Sequence, residues 1–171
     1  MKKLFPFLLL LITSFFLFNC KEDDDVQVQV DYPAVYDLNV NFSFSQDIGW
    51  NFYQKFTNPM LDQDYVVIFR QSDIVNGNPV WQQIPRTLYL DEGELDYDFD
   101  FTKNDFQIYA GGTIDLSNQT QTFKNLYLFN QKFRVVLVPA VFGKNATDLS
   151  KLSYEEIIRK YNINDSKVGK L

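Results

Sequence analysis

The sequence has no histidine, and its single cysteine stands at position 20 of 171 residues. Without an imidazole there is no Ser-His-Asp triad, Cys-His dyad or Cys/His zinc centre, and one thiol cannot close an internal disulfide. Motifs that cradle nucleotides or activate nucleophiles are missing too: there is no G-x-G-x-x-G after a strand, no P-loop, no G-x-S-x-G and no C-x-x-C. No cofactor, metal ligand or catalytic residue is expected. What chemistry remains would have to use carboxylates, Lys, Tyr, Ser or Thr. A carboxylate-dependent hydrolase stays open as a distant alternative, since a glycosidase needs two opposed acids, but no pair among the 22 acidic residues is singled out.

What is present begins at the N-terminus. Lys2 and Lys3 precede an uncharged stretch of 15 residues, Leu4 to Phe18, interrupted only by Pro6, Thr13 and Ser14. That is shorter than the roughly 20 apolar residues a membrane-spanning helix needs and fits the hydrophobic region of a secretory signal peptide. It runs into Leu17-Phe18-Asn19-Cys20. This resembles the lipobox of bacterial lipoproteins, in which Leu lies three residues before an obligatory Cys, although Phe18 and Asn19 replace the usual small residues. The resemblance implies cleavage before Cys20 and attachment of lipid to its sulfur and amine. Two or more acyl chains anchor a protein stably, where one is marginal.

Lys21-Glu22-Asp23-Asp24-Asp25 follows directly. It resembles the acidic export signal of Bacteroidota lipoproteins carried to the outer face of the outer membrane, and an acidic run also serves as a solvated tether. With these features the chain resembles the small surface lipoproteins of flavobacterial-type Bacteroidota. The resemblance implies an outer-membrane, lipid-anchored location facing the exterior, with the membrane as one partner; another envelope protein, or a glycan through the aromatic residues Tyr53 and Trp81, stays open as a second.

Residues 1–19 are therefore read as signal peptide, 20–33 as lipidated cysteine and tether, and 34–171 as one domain. Processing removes two lysines and no acid, taking 16 basic and 22 acidic side chains to 14 and 22, so the net charge moves from −6 to −8. Nucleic acid, which needs a concentrated basic footprint, is excluded as an expected partner. Of the aromatics, 12 Phe, 10 Tyr and 2 Trp remain, ample for one sizeable core.

Period-two alternation dominates the domain. Tyr36, Leu38, Val40, Phe42 and Phe44 alternate with polar residues, and Trp50, Phe52 and Phe56 share a face after Gly49. Tyr65 to Phe69 and Phe133 to Val138 are continuous apolar runs, the mark of strands covered on both faces. Asn76-Gly77-Asn78-Pro79 is the clearest turn, followed by strands at Val80–Ile84, Thr87–Leu90, Leu95–Phe101, Phe106–Leu116 and Leu126–Phe129. Gly111-Gly112 reads as a bulge or bend. Only the C-terminus changes period: Tyr154, Ile157, Ile158 and Tyr161 fall on one helical face, and Ser153 with Glu156 forms a capping box. The expected fold is all-β, an antiparallel sandwich (Ig-like or similar) of seven to nine strands with a short helix at about 153–162.

Two candidate sites arise. Asp91, Glu92, Glu94, Asp96, Asp98 and Asp100 place six acids in ten residues, which invites a calcium site. Their alternation with Leu95, Tyr97, Phe99 and Phe101 instead makes them the wet face of one strand, with alternate side chains nearly 7 Å apart. The second candidate is aromatic: Tyr53 and Trp81 are residues of the kind that stack on sugars or dock on proteins, set against the plainer reading that they belong to the core or an interface.

Overall fold

The computed structural model describes residues 35–62, 64–138 and 148–171, all within a compact unit spanning Tyr32–Leu171. The expected signal peptide and tether lie outside the described residues. Among the described residues ten strands make two sheets. The first contains β1 (Val35–Val40), β4 (Tyr65–Val75), β5 (Asn78–Ile84), β9 (Gln131–Val138) and β10 (Gly169–Lys170), in the order β10-β1-β9-β4-β5. The second contains β2 (Ser43–Ser45), β3 (Gly49–Lys55), β6 (Arg86–Leu90), β7 (Gly93–Phe101) and β8 (Asp105–Gly112), in the order β2-β3-β8-β7-β6. Every pairing is antiparallel except β1 with β10. Two helices complete the described structure, α1 (Gln121–Tyr127) and α2 (Tyr154–Lys160).

The sandwich-like arrangement follows from two apolar clusters. One lies between the sheets and joins Leu38, Val66, Ile68, Leu95, Tyr97, Ile108, Phe133 and Val135. The other lies on the far side of the first sheet, where Tyr154, Ile157 and Tyr161 cover Val35, Val67, Phe69, Val136 and Val138. Strands β4 and β9 therefore bury both faces, which is why their sequences are unbroken apolar runs. Helix α2 forms this roof because its apolar positions fall on one side and its start is fixed. The Glu156 N–H donates to Ser153 Oγ at 3.2 Å, and the Ser153 N–H donates to Glu156 Oε2 at 2.8 Å.

Turn chemistry sets the register. Asn76 and Gly77 both have positive φ, 52° and 81°, and join β4 to β5 as a two-residue hairpin whose twist matches the strands. Gly112 closes β8 at a φ of 113°. Phe106 to Leu116 is consequently not one strand: it stops there, and Leu116 begins a short 3-10 turn over Leu116–Asn118 capped by Asp115.

Three further expectations change. Leu126–Phe129 is not a strand but the end and exit of α1. Thr120 Oγ1 accepts the Phe123 N–H at 3.2 Å, and Phe123 and Tyr127, one turn apart, bring their rings to 4.7 Å. The single strand expected over Tyr36–Phe44 divides into β1 and β2 where the Phe42 N–H donates to the Leu128 carbonyl at 3.0 Å. The two-residue β10 raises the number of strands to ten.

Candidate functional site

While α2 covers the first sheet, the outer face of the second carries polar and aromatic side chains. Its inner residues are fixed by burial: Phe106, Ile108 and Ala110 on β8, Leu95 and Tyr97 on β7. Alternation turns their neighbours outward, and the register aligns them in rows. One row is Asn51–Tyr109–Asp98, the next Tyr53–Gln107–Asp100, and Lys55–Asp105 follows.

The rows are tied together by hydrogen bonds. The Tyr53 hydroxyl donates to Asp105 Oδ2 at 2.8 Å, and Thr102 donates to Asp105 Oδ1 at 2.6 Å. The Tyr109 hydroxyl donates to Asp100 Oδ2 at 2.6 Å. Gln107 Nε2 donates to Asn51 Oδ1 at 2.9 Å, and Asn51 Nδ2 donates to the Gly49 carbonyl at 2.9 Å. The bonds from Thr102 and Tyr53 hold the Asp105 carboxyl below its ordinary range. The same Tyr53 bond raises that phenol, and desolvation followed by the Asp100 bond pushes Tyr109 up to about 12. An ionised Asp105 and protonated phenols make a face that accepts and donates hydrogen bonds in a fixed pattern. Tyr53 remains 48% exposed, so its ring is free to stack.

The acidic strand takes its place on this face. Asp96, Asp98 and Asp100 point outward from β7, while Leu95 and Tyr97 are buried on the other side. Among the described residues no group of three His, Cys, Asp or Glu side chains is placed to hold a metal. The unfolding midpoint should therefore be the same in millimolar calcium as in chelator, within about 1 °C. A bound ion would raise it by mass action, and such a rise in a thermal melt would restore the ion site.

Trp81 is placed elsewhere. It lies on β5, on the far side of the first sheet, half-buried against the α2 cluster. Its ring centroid is 6.4 Å from that of Tyr154, and the Arg134 guanidinium stands 4.6 Å from its centroid. That guanidinium is itself held by Asp37 through bonds of 2.6 and 2.9 Å. Tyr53 and Trp81 thus occupy opposite outer faces and form no common platform; Tyr53 alone keeps the exposure that stacking requires. The polar partners of Tyr53 went unnoticed in the sequence, although Asp105, Gln107 and Tyr109 alternate there with Phe106, Ile108 and Ala110 as plainly as the acids of β7 do. Leu17, Asn19, Cys20 and residues 21–25 lie outside the described residues.

Comparison of the chain with family models, curated proteins and solved structures gives no match. Among the described residues no helix is long and apolar enough to cross a membrane.

Proposed function

We propose that this chain is a lipid-anchored envelope protein with a binding or scaffolding role and no catalytic one. In this reading Cys20 carries the lipid, the acidic run after it serves as export signal and tether, and the β domain is presented at the cell surface. The observation that carries the anchoring is the lone cysteine at the end of a 15-residue uncharged stretch, followed at once by Glu22, Asp23, Asp24 and Asp25. The binding role is supported by the outer face of the second sheet, where tyrosine rings and amides are held in a fixed hydrogen-bonding pattern. We read the fold as a two-sheet sandwich without an immunoglobulin label, because five strands in each sheet and a parallel β1–β10 contact differ from that fold's seven- and nine-strand layouts.

Cys20→Ala should abolish incorporation of labelled palmitate and move the protein from the detergent to the aqueous phase, since no acyl chain then holds it. Retained label would end the lipoprotein reading. Protease added to intact cells should cut the wild-type chain; cutting only after lysis would place it on an inner face.

A second reading, a glycan-binding accessory of a surface polysaccharide-uptake system, is favoured by Tyr53 standing exposed beside Gln107 and Asn51. Tyr53→Ala should then lose retention on a polysaccharide affinity gel while its circular dichroism spectrum stays that of the wild-type fold. Unchanged retention would remove Tyr53 from any such site.

A further inference from the structure

We propose that the cleft where the edge strands β5 and β6 meet α1 binds the carboxylate of an acidic oligosaccharide, a chain bearing uronic-acid units. This rests on the binding role proposed above and supplies it with a ligand class and a second location. The cleft has a volume of about 570 Å³, within the range of roughly 300–1,000 Å³ typical of small-molecule sites.

Its charge carries the argument. In a chain of net charge −6, the lining holds two arginines, Arg70 of β4 and Arg86 of β6, and among the described residues no Asp or Glu. The ion pairs Lys103–Asp62, Arg134–Asp37 and Lys151–Asp148 include neither of them. Arg70 is half-buried and positioned by neutral groups. Its Nε and Nη2 donate to Gln131 Oε1 at 3.2 and 2.7 Å, and its guanidinium stands 4.8 Å from the Tyr97 ring centroid. Among the described residues Arg70 is held by an amide and a ring, and a guanidinium so held suits a carboxylate through the N–H groups that Gln131 does not take.

The rest of the lining suits a sugar. Ser72, Gln82 and Thr87 supply hydroxyl and amide groups for ring hydroxyls. Tyr89, 80% exposed, and Leu126, 60% exposed, give the rim apolar surface for a pyranose face. Two arginines fall far short of a nucleic-acid footprint.

The test is calorimetric titration of the full chain in detergent with trigalacturonate, neutral galactotriose, inorganic phosphate and phosphatidylglycerol in mixed micelles of that detergent. Trigalacturonate should bind, more weakly as salt rises, and galactotriose at least about tenfold more weakly. Arg86→Gln, at an exposed position that leaves the core intact, should cost about tenfold. Arg70→Lys, which keeps the charge but loses the fork, should also weaken binding, with circular dichroism confirming the fold. Lys151→Ala, which removes an exposed cation outside the cleft lining, should leave trigalacturonate binding unchanged. The proposal is overturned if Arg86→Gln binds as wild type does, if galactotriose binds equally well, if phosphate or phosphatidylglycerol binds and trigalacturonate does not, or if nothing binds. Loss through Tyr53→Ala alone would also overturn it and leave the open-face reading standing. Acylation of Cys20 is read separately and is touched by none of these results.

Discussion

Gly112→Ala should destabilise the domain by roughly 3 kcal/mol or more, while Gly111→Ala, one residue earlier, should change stability by less than about 1 kcal/mol. At Gly112 two penalties coincide. The backbone holds a φ of 113°, which an L side chain rarely adopts, and an added Cβ would run into the Glu94 carbonyl oxygen and stand 3.0 Å from its carbon. Neither contact is with a flexible side chain that could swing away. Glu94 is fixed because its carbonyl accepts the Thr113 N–H at 3.0 Å and the next residue, Leu95, is fully buried. Relief would require β7 and β8 to part at the end of their ladder, where Leu95 pairs with Gly112. Gly111 has no atom within 4 Å of its added Cβ and no positive φ. Urea titration of the two variants beside wild type makes the comparison; equal midpoints for both would mean that the close approach at Glu94 does not exist in solution.

The adjacent glycines show how far local sequence reaches. A Gly-Gly pair in a strand pattern marks a bend, but which of the two is indispensable depends on a carbonyl 18 residues away on β7. The strands that bury both faces were legible in Tyr65–Phe69 and Phe133–Val138 because α2 covers the first sheet, and α2 was legible from its period and its capping box. Helix α1 was not. Its seven residues carry no capping-box acid, and Leu126, Tyr127, Leu128 and Phe129 look like strand when the Thr120 cap is overlooked. Tyr53 is exposed because it sits on the polar side of an alternating strand, opposite the face that carries Trp50 and Phe52. The surroundings of Trp81 are not legible locally, because its partners, Arg134 and Tyr154, come from β9 and α2 and no local pattern announces them. The Arg70–Arg86 cleft was invisible for the same reason: the two arginines lie in different sheets, and only the meeting of β5, β6 and α1 gives them a shared space.

Raising the pH from about 10 towards 12 should strip stability from the domain, and Tyr97 should account for on the order of 2–3 kcal/mol of the loss. Tyr97 is 1% exposed, its hydroxyl donates to the Tyr127 carbonyl at 2.7 Å, and its ring packs on Phe42 and Phe133 at about 6 Å. Burial pushes this phenol from 10.0 up to about 12, with the Arg70 guanidinium opposing the shift only in part. The sign follows directly. In the unfolded chain the phenol releases its proton near pH 10, whereas in the folded domain it holds that proton to about 12. Over that interval the folded state binds more protons, so stability is complete below pH 10 and falls as pH rises through the folded value. Tyr109 and Tyr154, also raised to about 12, pull the same way. Tyr97→Phe isolates the buried group. At neutral pH it should cost about 1 kcal/mol for the lost hydrogen bond, yet it has no proton to lose there in alkali. Unfolding free energies by urea at about pH 8 and about pH 11 should therefore converge for wild type and variant, or cross. If the two fell in parallel, the buried phenol would not be the titrating group, and the alkaline loss would belong to the tyrosines of the open face and of α2.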